Sequence, residues 1–184
     1  VLDYIVNGKV WNPMGNRSLN AAPHGCYPCR GEDQWCVISC ENDDHWRRLR
    51  SAIGNPEWAK NVNFETLQSR LNNQSELDNE ISQWTCNYSP YQVMRHLQKH
   101  SVPAGAVQSG EQVYRDYHMR SRGFIIESNH KEWDRLETAG IVVGLSRSPG
   151  RISRGMPEVG EHNYLVFRHL LGIEPAEFEQ LSKQ

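Results

Sequence analysis

No stretch of this chain approaches the roughly 20 consecutive apolar residues that a membrane-spanning helix needs, and the N-terminus lacks the charged-then-apolar layout of a signal peptide. A cytoplasmic protein with no membrane partner is the expectation. An excess of basic charge is missing as well. Twenty Lys and Arg face 22 Asp and Glu, for a formal charge of -2, so no basic face is available for a nucleic-acid partner. Also absent are a GxGxxG fingerprint, a phosphate-binding Walker loop, an HExxH helix, internal repeats and low-complexity tracts. Apolar residues are modest in number, 38% with a mean hydropathy of -0.72. Yet six Trp, seven Tyr and four Phe are too many aromatics for a disordered chain. The composition fits a folded protein whose surface is largely wetted or covered by other protein. Its 184 residues suffice for one sizeable core or two small ones. The chain opens on Val1 rather than Met, which suits a truncated or processed product or a trimmed tag.

Five cysteines are present, and four of them, Cys26-x2-Cys29 and Cys36-x3-Cys40, resemble a paired zinc-ligand pattern. Strand geometry opposes that reading. If residues 35–39 form a strand, Cys36 and Cys40 share a face but stand about 13 Å apart at about 3.3 Å per residue, too far for one ion. We therefore expect free, partly buried thiols and no metal site. An odd count without an export signal points to a reducing compartment.

Residues 1–15 carry Tyr4, Ile5, Val6, Val10 and Trp11 without a clear period and read as the tail of a preceding element plus a linker. A strand is expected over Trp35–Ser39, then a helix from Asp43 or Asp44, whose acidic charge suits the positive helix end, with Trp46, Leu49 and Ile53 as its buried stripe. Gly54-Asn55-Pro56 should end that helix. Three more helices follow. Asn63 is expected to cap one bearing Phe64, Leu67 and Leu71; Ser75 one bearing Leu77, Ile81 and Trp84; and Ser89, with Pro90 at the first helical position, one bearing Val93, Met94 and Leu97. The Trp and Met residues on these helices are read as core. Val102–Val107, broken by Pro103 and Gly105, reads as a loop into an edge or bulged strand. Beyond it the pattern predicts a short helix over 111–119, strands over 124–127 and 141–145, and a polar return stretch to Pro157. A helix over 163–171 with Leu165, Val166, Leu170 and Leu171 inward, closed by Gly172, and a final helical turn from Pro175 complete the chain.

The order of short motifs carries a resemblance. A basic-polar lead-in (Asn16-Arg17), Ala22-Pro23-His24-Gly25, Tyr27-Pro28-Cys29, Gly31-Glu32-Asp33 and the strand from Trp35 are followed by Trp46, Asn55-Pro56-Glu57-Trp58, Phe64 and Arg70. Val102–Val107, Arg122-Gly123-Phe124 and Gly160-Glu161-His162 complete the series. Over residues 16–181 this order resembles the class III CoA-transferases, the CaiB/BaiF family. The resemblance implies an α+β fold: a small domain (23–145) entered by a linker (1–22) and followed by a segment (146–184) that returns to a large domain. That large domain, Rossmann-like and bearing the nucleophilic aspartate, would precede Val1. It also implies CoA exchange between an acyl-CoA and a carboxylic acid through aspartyl thioester intermediates, no tightly bound cofactor, coenzyme A thioester as substrate, and an interlocked homodimer.

None of Asp3, Asp33, Asp43, Asp44, Asp78, Asp116 and Asp134 stands in the context of the family's nucleophile, so no catalytic residue is expected here and the chain should be silent alone. The turn His24-Gly25-Cys26-Tyr27 matches a flexible loop that the family brings near substrate, with Gly25 allowing close backbone approach. Glu41 is similar in position to a carboxylate near the catalytic pair of racemases in the family. These five are the candidate substrate-binding residues, each set against a structural alternative: a domain-entry turn for the first four, an exposed strand-end acid for Glu41. His162 is read as part of a helix start. Three alternatives stay open: part of an acyl-CoA racemase, a non-catalytic binding or assembly module with the same fold, and a zinc-stabilised domain.

Overall fold

The structure is a computed structural model that describes residues 1–10, 12–130 and 134–181; Trp11 of the lead-in lies outside the described residues. The chain divides into two compact units, Val1–Val107 and Gln108–Gln184.

In the first unit a short helix α1 (Leu2–Asn7), without a buried residue, precedes the lead-in. Strands β1 (His24–Pro28), β2 (Trp35–Ser39) and β3 (Ala104–Ala106) form an antiparallel sheet in the order β1-β2-β3, so β3 is an edge as its Pro and Gly suggested. Tyr27 pairs with Cys36 and Cys26 with Val37, while Val37 also pairs with Gly105. Alternation therefore puts Tyr27, Cys36 and Ile38 on one face and Cys26, Val37 and Gly105 on the other. The first face is buried under helices α2 (Asp43–Ala52), α4 (Gln74–Thr85) and α5 (Pro90–Lys99). The second face is open, with Trp35, Val37 and Val107 exposed.

Helix α2 begins as its sequence predicts: the Asn42 side chain accepts the His45 N–H, acidic residues fill the first turn, and Trp46 and Leu49 are buried. Trp46, Trp58 and Phe64 meet with ring centroids 6.2–6.3 Å apart, largely edge to face, which makes the Pro-Glu-Trp and Phe64 motifs core elements. Arg70 on α3 (Leu67–Asn72) is wholly buried beside them. Its guanidinium donates to the carbonyls of Ala22 (2.7 Å), Phe64 (3.1 Å) and Glu65 (3.2 Å) and to the Asp43 carboxylate (2.8 Å), and it lies 5.3 Å from the Trp46 ring. One side chain thus ties the lead-in, a turn and the start of α2 together. Helix α5 starts at Ser89 in a capping box with Gln92, with Pro90 next, as expected.

Two helix starts differ from the sequence reading. Asn63 caps nothing: Asn61 accepts the Asn63 N–H in a 3₁₀ turn over Val62–Phe64, and Thr66 caps α3 in a box with Ser69. Ser75 lies inside α4, whose first helical residue is Gln74. The near-continuous polar run Thr66 to Asn79 offers several caps, and packing of Phe64, Leu77 and Ile81 selects among them.

In the second unit the single helix expected over 111–119 is two, α6 (Gly110–Arg115) and α7 (Tyr117–Ser121), because Asp116 leaves helical geometry to accept the Met119 N–H as the cap of α7. Strand β4 (Ile125–His130) extends the expected 124–127 and pairs antiparallel with β5 (Asp134–Ala139). The strand expected over 141–145 is absent; Ile141, Val142, Val143 and Leu145 are exposed in irregular backbone with a bend at Val142 and Val143. β-branched composition favoured that stretch, but a strand needs a partner, and the one beside β4 is the charged segment that can pair Arg135 with Glu127 (3.2 Å). Tyr164–Leu170 is a π-helix, closed by the Leu171 N–H to Val166 carbonyl bond, and not the expected α-helix. The wider turn breaks the 3.6-residue stripe, so Leu165, Val166, Leu170 and Leu171 are exposed rather than inward. Instead Tyr164 and Phe167 pack on Phe178 of α8 (Pro175–Leu181), centroids 6.0 and 6.1 Å apart. None of the described residues of this unit is buried.

Candidate functional site

The open face of the first sheet floors a cavity of about 540 Å³, lined by Asn16, Arg17, His24, Gly25, Val37, Ser39 and the run Pro103–Gly105, among others. The floor stays flat because its central residue is glycine. A Cβ at Gly105 would stand 3.3 Å from a Val37 methyl. Among the lining residues there is a cation, Arg17, an imidazole and a hydroxyl, and no carboxylate.

His24 enters the cavity with a defined tautomer. Its Nδ1 lies 2.6 Å from the Asn16 carbonyl oxygen, which accepts only, so Nδ1 carries the proton and donates it. That leaves Nε2 of the neutral ring as a hydrogen-bond acceptor. The lead-in that the sequence presents as a basic-polar loop is thereby pinned to the first residue of β1.

An adjoining recess of about 320 Å³ shares Asn16, Arg17, His24 and Gly25 and adds Cys26, Tyr27 and Asp78. Tyr27 is buried, and its hydroxyl donates to Asp78 at 2.8 Å. Burial, with the Asp78 charge adding to it, pushes the Tyr27 phenol well above its ordinary value. Burial also raises the Asp78 carboxyl, opposed by the Tyr27 hydrogen bond and by Arg17, whose guanidinium is 3.9 Å away and also donates to Ser75 Oγ at 2.9 Å. A side chain at Gly25 would put its Cβ 3.0 Å from the Tyr27 hydroxyl, so glycine here clears the path by which Tyr27 reaches α4. Burial raises the Cys26 thiol, opposite in direction to the lowering that activates a thiolate nucleophile.

Of the five residues singled out from sequence, the structure brings His24, Gly25, Cys26 and Tyr27 together around these two spaces, but in the paired strand β1 and not in the expected flexible turn, because their backbone is fixed by the ladder to β2. Glu41 lines neither; it is exposed just after β2, with its backbone N–H 3.4 Å from His45 Nδ1. Ser39 and Asp78 escaped the sequence reading. Ser39 ends β2 two residues from Glu41, and only strand alternation could have marked it; Asp78, 51 residues from Tyr27, carried no local signal. Of the thiols, Cys29, Cys36 and Cys40 are buried and Cys86 is exposed, and among the described residues no group of His, Cys, Asp and Glu is arranged to hold a metal ion. No helix of the described residues is long and apolar enough to cross a membrane.

The family model for CoA-transferase family III matches residues 1–163, so the chain belongs to that family. Among curated relatives, it is 33% identical over 171 residues to succinyl-CoA–D-citramalate CoA-transferase of Chloroflexus aurantiacus, covering 93% of this chain and 42% of that protein. It is 28% identical over 172 residues to formyl-CoA:oxalate CoA-transferase of Bradyrhizobium diazoefficiens, covering 92% and 40%. A crystal structure of a CaiB/BaiF family protein from Brucella suis shares the fold, with a TM-score of 0.77 at 24% identity over 92% of this chain and 43% of that one. The chain thus spans about two-fifths of the length of these relatives.

Proposed function

We propose that this chain forms one wall of the acyl-CoA site of a class III CoA-transferase, which moves CoA from an acyl-CoA to a carboxylic acid through an aspartyl thioester whose aspartate belongs to a segment other than these 184 residues. The observation that carries the reading is the open-face cavity: it offers donors and an acceptor but no carboxylate. A donor-lined wall suits the thioester carbonyl and anionic carboxylates of such substrates, while a carboxylate nucleophile, which divides one difficult exchange into two easier ones, has to come from elsewhere. In this reading His24 and Gly25 touch the acyl thioester, Cys26 and Tyr27 shape the recess beside it, and Glu41 has a role only if the parent is a racemase. The large exposed apolar residues of the second unit fit burial against further protein, a large domain or a second copy in a homodimer.

The test is exchange. The chain alone, given acyl-CoA donors and carboxylate acceptors, turns over nothing, whereas titrated acyl-CoA perturbs the amide resonances of His24, Gly25, Ser39 and Gly105. Measurable turnover refutes the missing nucleophile; absence of any perturbation on the open face refutes the wall.

The alternative, a binding or assembly module without chemistry, is favoured by one observation: the core cluster of the described residues lies within the first unit. Supplying a large-domain segment of the family separates the two, because restored exchange supports only the first reading.

A further inference from the structure

On the helical side of the first unit lies a second cavity of about 540 Å³, and it shares no lining residue with the space on the open sheet face. Its walls come from the end of α2 (Ala52, then Ile53 and Gly54), the last turn of α4 (Trp84), Tyr88 just beyond it, and one side of α5 (Gln92, Val93, Arg95 and His96). The volume falls in the range of small-molecule sites, about 300–1,000 Å³.

Aromatic rings dominate the wall. Trp84 lies 5.1 Å from Tyr88 and 6.2 Å from His96 between centroids, and His96 is 4.9 Å from His100. His96 is anchored by Nε2, 2.7 Å from the Ala52 carbonyl, so that nitrogen carries a proton and the ring orientation is set by the end of α2. Ile53 and the buried Val93 supply an aliphatic base.

The polar ends are what distinguish this space from a gap between helices. Among the described residues no hydrogen bond or ion pair engages the Trp84 indole N–H, the Tyr88 hydroxyl or the Arg95 guanidinium. The Gln92 side-chain oxygen accepts from the Ser89 N–H at 2.9 Å and from the Arg30 guanidinium at 3.4 Å, so Gln92 presents its NH₂ donors. No Asp or Glu lines the cavity. Three donors and one hydroxyl thus lie on a space walled by rings, and Arg95 is the cation among the lining residues. Guanidinium groups recognise carboxylates and phosphates through paired N–H donors, and flat rings stack on aromatic walls.

We propose that this cavity binds a planar aromatic anion, its ring against Trp84, Tyr88 and His96 and its charge on Arg95. The site is independent of the proposed CoA chemistry. The test is an NMR titration of the full chain with four probes: naphthoate, naphthyl phosphate, naphthylmethanol and cyclohexanecarboxylate. Naphthoate shifts the amides of Ile53, Gly54, Trp84, Tyr88 and His96 and the Trp84 indole N–H. Naphthylmethanol, with the ring but no charge, binds at the same place about tenfold more weakly, as expected for loss of a charge-assisted hydrogen bond. Cyclohexanecarboxylate, with the charge but no ring, binds more weakly too. Arg95→Gln, a change at an exposed position, abolishes the preference for naphthoate over the alcohol and leaves binding of the alcohol intact. Tighter binding of naphthyl phosphate than naphthoate assigns the anionic group as phosphoryl, within the same proposal. Equal affinity for naphthoate and the alcohol, equal affinity for naphthoate and cyclohexanecarboxylate, or no shifts at these residues at millimolar probe overturns it.

Discussion

Arg70 and the buried thiols show how single side chains act here. Removing Arg70 strands the buried Ala22 and Phe64 carbonyls, so Arg70→Ala should cost about 3–5 kcal/mol in urea unfolding, more than Asp43→Ala, which leaves the buried guanidinium without its counter-charge but keeps its carbonyl bonds. Comparable losses for the two would mean that the ion pair, and not the carbonyl bonds, matters. Burial pushes Cys40 up to about 12 and also raises Cys36 and Tyr27. A group whose folded value is raised stabilises the fold fully below its unfolded value and loses that contribution as pH climbs through the folded one. The unfolding midpoint should therefore fall as pH rises above about 9, where unfolded thiols ionise first. Cys40→Ala should flatten that slope, and an unchanged slope would remove Cys40 from the cause. Mass-resolved alkylation at pH 8 should label exposed Cys86 ahead of Cys29, Cys36 and Cys40.

Helix starts govern the next scale. Ser89→Ala and Thr66→Ala each remove an acceptor that takes an N3 backbone N–H in a capping box, and each should lower stability by about 1 kcal/mol, read as a shift in urea midpoint. Ser75→Ala, at a residue the sequence nominated as a cap but which lies within α4, should cost less, since it gives up only an exposed bond from Arg17. The contrast shows where sequence was enough. Ser89-Pro90 states its role through backbone chemistry that no neighbour can change. Asn61, Asn63, Thr66, Asn73 and Ser75 are all competent caps, and which one works depends on where Phe64 and Leu77 must point to be buried. The strand misplaced at 141–145 is the same lesson for sheets, because pairing supplies what propensity lacks.

At the scale of the molecule, the two units differ in what holds them. Every buried residue among those described belongs to the first, and the second exposes Ile141, Val142, Leu170 and Leu171. A chain ending at Val107 should therefore keep a cooperative thermal transition near that of the whole, whereas residues 108–184 alone should melt without one; calorimetry of the two pieces checks this. Cooperative melting of the second piece alone would show a core that burial does not reveal.

Sequence alone determined the family, the strand Trp35–Ser39 and helices α2 and α5, because these rest on local periodicity, capping chemistry and the linear order of motifs. Only the tertiary structure decided which face of the sheet stays open, that Asp78 meets Tyr27 beneath it, that Arg70 closes the core, and that Trp84, Tyr88 and Arg95 surround a second cavity. Those facts depend on residues far apart in the chain being brought within a few ångströms, and no local pattern encodes a distance across a packed core.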